Sequence, residues 1–109
     1  MVTVRFGKNA MEAKGHAGYA EAGQDIVCAA LSVLFYTAEA MLWRMYAAGK
    51  LERLPVTQLE PGEVLLSACP TEAGEEEARW IWQMLREGIG LVAESYQGYV
   101  VIQPAKAGE

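Results

Sequence analysis

Residues 15–32 read Gly15-His16-Ala17-Gly18-Tyr19-Ala20-Glu21-Ala22-Gly23-Gln24-Asp25-Ile26-Val27-Cys28-Ala29-Ala30-Leu31-Ser32. Glycines punctuate the first half, and from Ile26 the sequence turns apolar without a break, so a loop runs into a helix. Asp25 is a good N-cap, because its carboxylate accepts from the backbone N–H groups that the first helical turn leaves unpaired. Cys28 then falls in that first turn, and Asp25, Cys28 and Ser32 share one helix face through their i, i+3, i+7 spacing. His16 is the only histidine of the chain and Cys28 one of two cysteines. A helix start favours thiolate over thiol. An imidazole brought alongside can take the thiol proton, which is the minimum equipment of a cysteine nucleophile.

Downstream, Ala29, Ala30, Leu31, Val33, Leu34, Phe35, Ala38, Met41, Leu42, Trp43 and Met45 spread round the helix until Gly49 stops it. A helix apolar on nearly all sides is expected to be buried on nearly all sides, against a sheet, a second helix or another subunit. Ser32, Thr37, Glu39 and Arg44 interrupt it and argue against a membrane span. Upstream, Val2, Val4 and Phe6 alternate with Thr3 and Arg5, the period of a half-buried strand. Gly7-Lys8-Asn9 turns the chain, and Ala10 to Lys14 returns as a hairpin that delivers Gly15-His16 to the end of the sheet. Gly18 and Gly23 relax the backbone between His16 and Cys28, so residues 17–24 form either a mobile cover over the site or a tight connection.

The second half repeats the order. Leu54 to Leu59 reads as extended, with Pro55 suggesting an edge. Glu60-Pro61-Gly62-Glu63 has the pattern of a type II turn, and Val64 to Cys69 is the most apolar strand candidate. Pro70 to Gly74 breaks the chain. Glu75, Glu76 and Glu77 suit the positive end of a helix better than a metal site. Ala78, Ile81, Trp82, Leu85, Ile89 and Val92 follow at helical spacing. Within this helix Gly88 and Gly90 either permit close packing or mark a bend. Tyr99 to Gln103 closes as a strand ended by Pro104, and Ala105 to Glu109 reads as a frayed tail. The result is a single α+β domain over residues 1–109, with one mixed sheet of about five strands and two main helices, in the order ββαββαβ.

Composition narrows the function classes. The 109 residues carry 14 acidic and 9 basic side chains, a net charge of −5. That argues against nonspecific nucleic-acid binding, which needs clustered Lys and Arg. The hydrophobic share of 52% is high for so small a chain, and an apolar surface left over is commonly closed by self-association, so a homodimer is expected. The N-terminus lacks a signal-peptide pattern and the two cysteines stand far apart, so a reducing cytoplasm with a free Cys28 is expected. One histidine and two distant cysteines do not make a zinc site, and neither a Cys-x-x-Cys pair nor a P-loop is present. No metal or cofactor is therefore expected. Cys69, in its apolar strand and without a histidine nearby, reads as structural. Trp43, Trp80 and Trp82 read as core or dimer packing.

The run Gly15-His16-Ala17-Gly18-Tyr19, followed by Gly23, Asp25-Ile26-Val27-Cys28-Ala29-Ala30 and Ser32, resembles the bacterial ribosomal-processing cysteine proteases, the Prp family. Gly90-Leu91, Ala93-Glu94 and Tyr96 through Ile102 look like that family's closing helix and strand. Gln97-Gly98 departs from it, where many relatives carry a proline-containing turn. The resemblance implies a catalytic dyad of His16 and Cys28, a Gly-His-Ala triplet at Gly15, His16 and Ala17, and a supporting acid and serine at Asp25 and Ser32. It also implies a homodimer that removes the N-terminal extension of a large-subunit ribosomal protein, which otherwise reaches toward the peptidyl-transferase centre. From position alone Asp25 has two readings, orienting the imidazole or capping the helix. Ser32 either holds the site or bonds its own helix carbonyl. Free N–H groups at the helix start would meet the oxyanion. The alternative from another class is a noncatalytic homodimeric module of the same fold, a ribosome-assembly or peptide-binding protein that holds a tail without cutting it.

Overall fold

Strand β1 (Val2–Gly7) buries Val2, Val4 and Phe6 and leaves Thr3 and Arg5 half-buried on its other side, as its period of two requires. The computed structural model describes residues 1–104, so the tail expected over Ala105–Glu109 lies outside the described residues. Strand β2 (Ala10–Lys14) returns antiparallel through Lys8-Asn9, with Asn9 in the left-handed region at φ 55°. Helix α1 (Ile26–Ala47) follows the loop. Strands β3 (Val56–Glu60) and β4 (Glu63–Ser67) form a second hairpin around Pro61-Gly62, with Gly62 at φ +79°. A short 3-10 turn (Glu72–Gly74) leads into helix α2 (Glu75–Ser95), and β5 (Val100–Gln103) closes the sheet.

The sheet order is β3-β4-β2-β1-β5, antiparallel except for the parallel pair β1/β5. The order ββαββαβ and one mixed five-stranded sheet are those expected. Register puts Val4 beside Ala13, Phe6 beside Met11, Ala13 beside Val64 and Met11 beside Leu66, so the buried side chains of the three central strands all point one way. Both helices join them in one core, through Val27, Leu31, Phe35, Ala38, Leu42 and Met45 of α1 and Ala78, Ile81, Trp82, Leu85 and Ile89 of α2. Among the described residues the domain thus has two layers, helices on one face of the sheet and none on the other.

Several expectations are corrected. Only one side of α1 is buried; Ile26, Val33, Tyr36, Met41, Trp43 and Tyr46 are exposed. By length and composition α1 is apolar enough to cross a membrane, so its interrupting polar residues do not decide that question; its six buried side chains do pack into the core. Strand β3 starts at Val56, with Leu54 exposed ahead of it, and it lies at the sheet edge as Pro55 suggested. Cys69 lies beyond the end of β4, and its thiol donates to Glu52 Oε2 at 3.3 Å. Of the tryptophans only Trp82 is buried, its Nε1–H donating to Asn9 Oδ1 at 3.2 Å, whereas Trp80 is 60% exposed. Among the glutamates that open α2, Glu77 pairs with Lys50 and Glu76 with Arg79. Gly88 marks close packing: a Cβ there would stand 2.7 Å from Leu34 Cδ2 on α1.

Candidate active site

The hairpin β1–β2 ends at Gly15, where the backbone turns at φ +104° directly against the first residues of the chain. A Cβ at this position would lie 2.3 Å from the Met1 carbonyl oxygen, so only glycine fits. The Gly15 N–H donates to the Gly62 carbonyl at 2.9 Å, which pins the start of the loop to the β3–β4 turn. His16 follows with its side chain exposed, and Ala17 is buried into the core. These three residues thus fix the imidazole's base while leaving its ring at the surface.

Asp25 is the N-cap of α1, in extended backbone, and it does more than cap. Its Oδ1 accepts from Cys28 N at 2.9 Å, and its Oδ2 accepts from Tyr19 N at 3.0 Å and Ala20 N at 3.3 Å. These N–H donors, Cys28 first, hold its carboxyl below the usual carboxylate range. The carboxylate is therefore occupied with the helix start and the loop, not with the imidazole. It also takes up the N–H of Cys28 itself, which narrows the supply of free donors expected for an oxyanion. Tyr19 secures the loop from its other side, packing edge-on against Tyr96 at 5.4 Å and Tyr99 at 5.2 Å. Residues 17–24 are in this state a tied connection.

Cys28 is a free, exposed cysteine in the first turn of α1. It and His16 line one cleft of about 640 Å³, together with Gly15, Ala17, Gly18, Gly23, Asp25 and Ser32. Every site residue picked out in the sequence is in this cleft. The imidazole and the thiol share it without a hydrogen bond between them among the described residues. Its apolar wall comes from Leu31, Phe35 and Tyr36 of α1 and from Leu59 and Val64 of the second hairpin. Among the described residues, Asp25, Glu60 and Glu63 line it and are all acidic. A larger cleft of about 1030 Å³ opens at the other end of the sheet, around Asn9, Cys69 and Trp82, and holds neither His16 nor Cys28. We take the smaller one as the candidate site, since the exposed free Cys28 and the chain's single histidine are there.

The second hairpin's part in the site is what reading the sequence missed. Pro61-Gly62 was legible as a turn, but its place beside His16 depends on β4 pairing with β2, Ala13 beside Val64 and Lys14 beside Glu63. Only that pairing carries the turn next to Gly15.

A family model described as cysteine protease Prp matches residues 1–101. The chain belongs to the Prp family. The ribosomal processing cysteine protease Prp of Mycoplasma genitalium is 30% identical over 102 residues, covering 94% of each chain. Among solved structures, the Prp of S. aureus in complex with a covalently linked product peptide superposes with a TM-score of 0.70 at 19% identity, covering 94% of this chain and 96% of that one. SMU.848 of Streptococcus mutans reaches a TM-score of 0.66 at 23% identity, with 95% and 91% covered. The Prp family is one of cysteine peptidases, and the solved S. aureus structure shares the fold described above.

Proposed function

We propose that the chain is an endopeptidase that removes the N-terminal extension of a large-subunit ribosomal protein, with Cys28 as nucleophile and His16 as its base. The observation that carries this reading is an exposed cysteine at a helix start sharing one cleft with the chain's single histidine. The likeness to the ribosomal processing cysteine protease of Mycoplasma genitalium supports the substrate class, and a cleft of this volume suits a short peptide segment. His16 takes the Cys28 proton, and the thiolate adds to the scissile carbonyl of the bound tail. The positive end of α1 favours the negative charge that develops there. His16 returns the proton to the departing amine, leaving a thioester that water hydrolyses. Asp25 and Ser32 act as supports, Asp25 through the loop and helix start that it joins.

The enzyme works as a homodimer in the cytoplasm, where Cys28 stays reduced. Support for the dimer comes from the outward face of α1. Ile26, Val33, Ala40 and Ala47 recur every seven residues, with Ala29, Tyr36 and Trp43 between them, a self-complementary seam for a second helix. The test is a synthetic peptide spanning the extension of the host's ribosomal protein, followed by mass spectrometry. Cleavage at one bond, abolished in Cys28→Ala and His16→Ala proteins that still fold, is the expected result. Binding of the peptide without turnover would instead make the chain a noncatalytic tail-holding module.

A further inference from the structure

The turn between β3 and β4 meets the imidazole at one residue. Built on Gly62, a Cβ would lie 2.7 Å from His16 Nε2, 3.0 Å from Cε1 and 3.5 Å from Cδ2. These are its three nearest neighbours, so the room vacated by the absent side chain is filled by the histidine ring and by nothing closer. The same residue accepts the Gly15 N–H through its carbonyl. Residue 62 thus bears on the ring and on the backbone just ahead of it. We infer that Gly62 is a positioning residue for His16: its bare Cα is the seat on which the imidazole rests in the cleft it shares with Cys28. The inference builds on the dyad reading above.

A glycine at 62 is also demanded by its φ of +79°, and the two demands can be separated. Gly49, past the end of α1, has φ +74° with nothing within 4 Å of a built Cβ, so it carries the dihedral demand alone. At 62 the obstacle is the far end of an exposed side chain rather than backbone. An added carbon therefore moves the ring, while the backbone strain it brings is of the kind that Gly49→Ala also carries.

The experiment compares Gly62→Ala with Gly49→Ala, and adds Gly62→Asn, because asparagine tolerates a left-handed backbone better than alanine while still bearing a Cβ. His16 is the only histidine, so its imidazole NMR signals need no assignment. Expected for both substitutions at 62 are displaced imidazole signals, and a kcat at least about tenfold lower with KM changed by less than about threefold. Gly49→Ala should leave the imidazole signals and kcat as they are. Unmoved imidazole signals at 62, or an equal loss of kcat in Gly49→Ala, would overturn the inference. Its failure is distinguishable from that of the dyad. An inactive wild type, or an active His16→Ala, removes the dyad, whereas the imidazole signals report on the seat in either case.

Discussion

Asp25 carries three hydrogen bonds on two oxygens, and these tie the stability of the helix start and loop to its ionised form. A carboxyl whose native pKa lies below its unfolded value near about 3.9 stabilises the native state above that pH. The contribution fades as pH falls through the lower native value. Urea midpoints measured from pH 6 down to pH 2 should therefore drop more steeply below about pH 4 for the wild type than for Asp25→Asn, and converge at the acid end. Parallel curves would deny Asp25 this part. Asn keeps one acceptor oxygen for three donors, so either the loop or the Cys28 N–H is released, and the variant should also cleave more slowly. For the proposed dyad, His16→Ala should lower kcat/KM by at least about a hundredfold, below detectable cleavage, and Cys28→Ala to the level without enzyme, with unchanged circular dichroism. These three residues could be picked out in the sequence because a helix cap, a helix start and a lone histidine are local features. Gly62 could not be assigned to the site, because its nearness to His16 is a matter of strand order rather than of neighbouring sequence.

At the level of elements, the differences from expectation have simple causes. Strand β4 stops at Ser67 because its partner β2 begins at Ala10, so Ala68 and Cys69 have no ladder left and bond instead to Asn9 and Glu52. Periodicity cannot see where a partner runs out. Helix α1 looked buried all round because its composition is apolar on every side, but one sheet and one neighbouring helix can cover only part of a cylinder. Helix α2, with polar residues on its outer side, was legible in both position and facing. Its two glycines, indistinguishable in sequence, should separate on mutation. Gly90 has open space around it, so Gly90→Ala should stabilise the protein by about 0.5–1 kcal/mol through helix propensity. Gly88→Ala should forfeit that gain against Leu34, and Leu34→Ala in the same protein should restore part of it. Urea denaturation of the four proteins measures this, and equal shifts for both glycines would mean that the helices do not meet at Gly88.

For the whole molecule, light scattering should give twice the chain mass, and Val33→Glu, in the middle of the outward seam of α1, should return it to the mass of one chain. A wild type of single mass would remove the dimer and leave the apolar face for another purpose. The class and element order of the fold were legible because each hairpin and helix announces itself with turn residues and periodicity. The sheet order was not, since it joins segments far apart in the chain. The pairing of Val2 with Val100 is the extreme case. Strand β1 receives its second neighbour only from β5, so a growing polypeptide leaving the ribosome cannot finish its sheet until Val100 to Gln103 have emerged. Until then β1 presents an open row of amides and carbonyls to any passing strand. Proteins cut short before Val100 should accordingly aggregate or be degraded rather than accumulate as partly working enzyme.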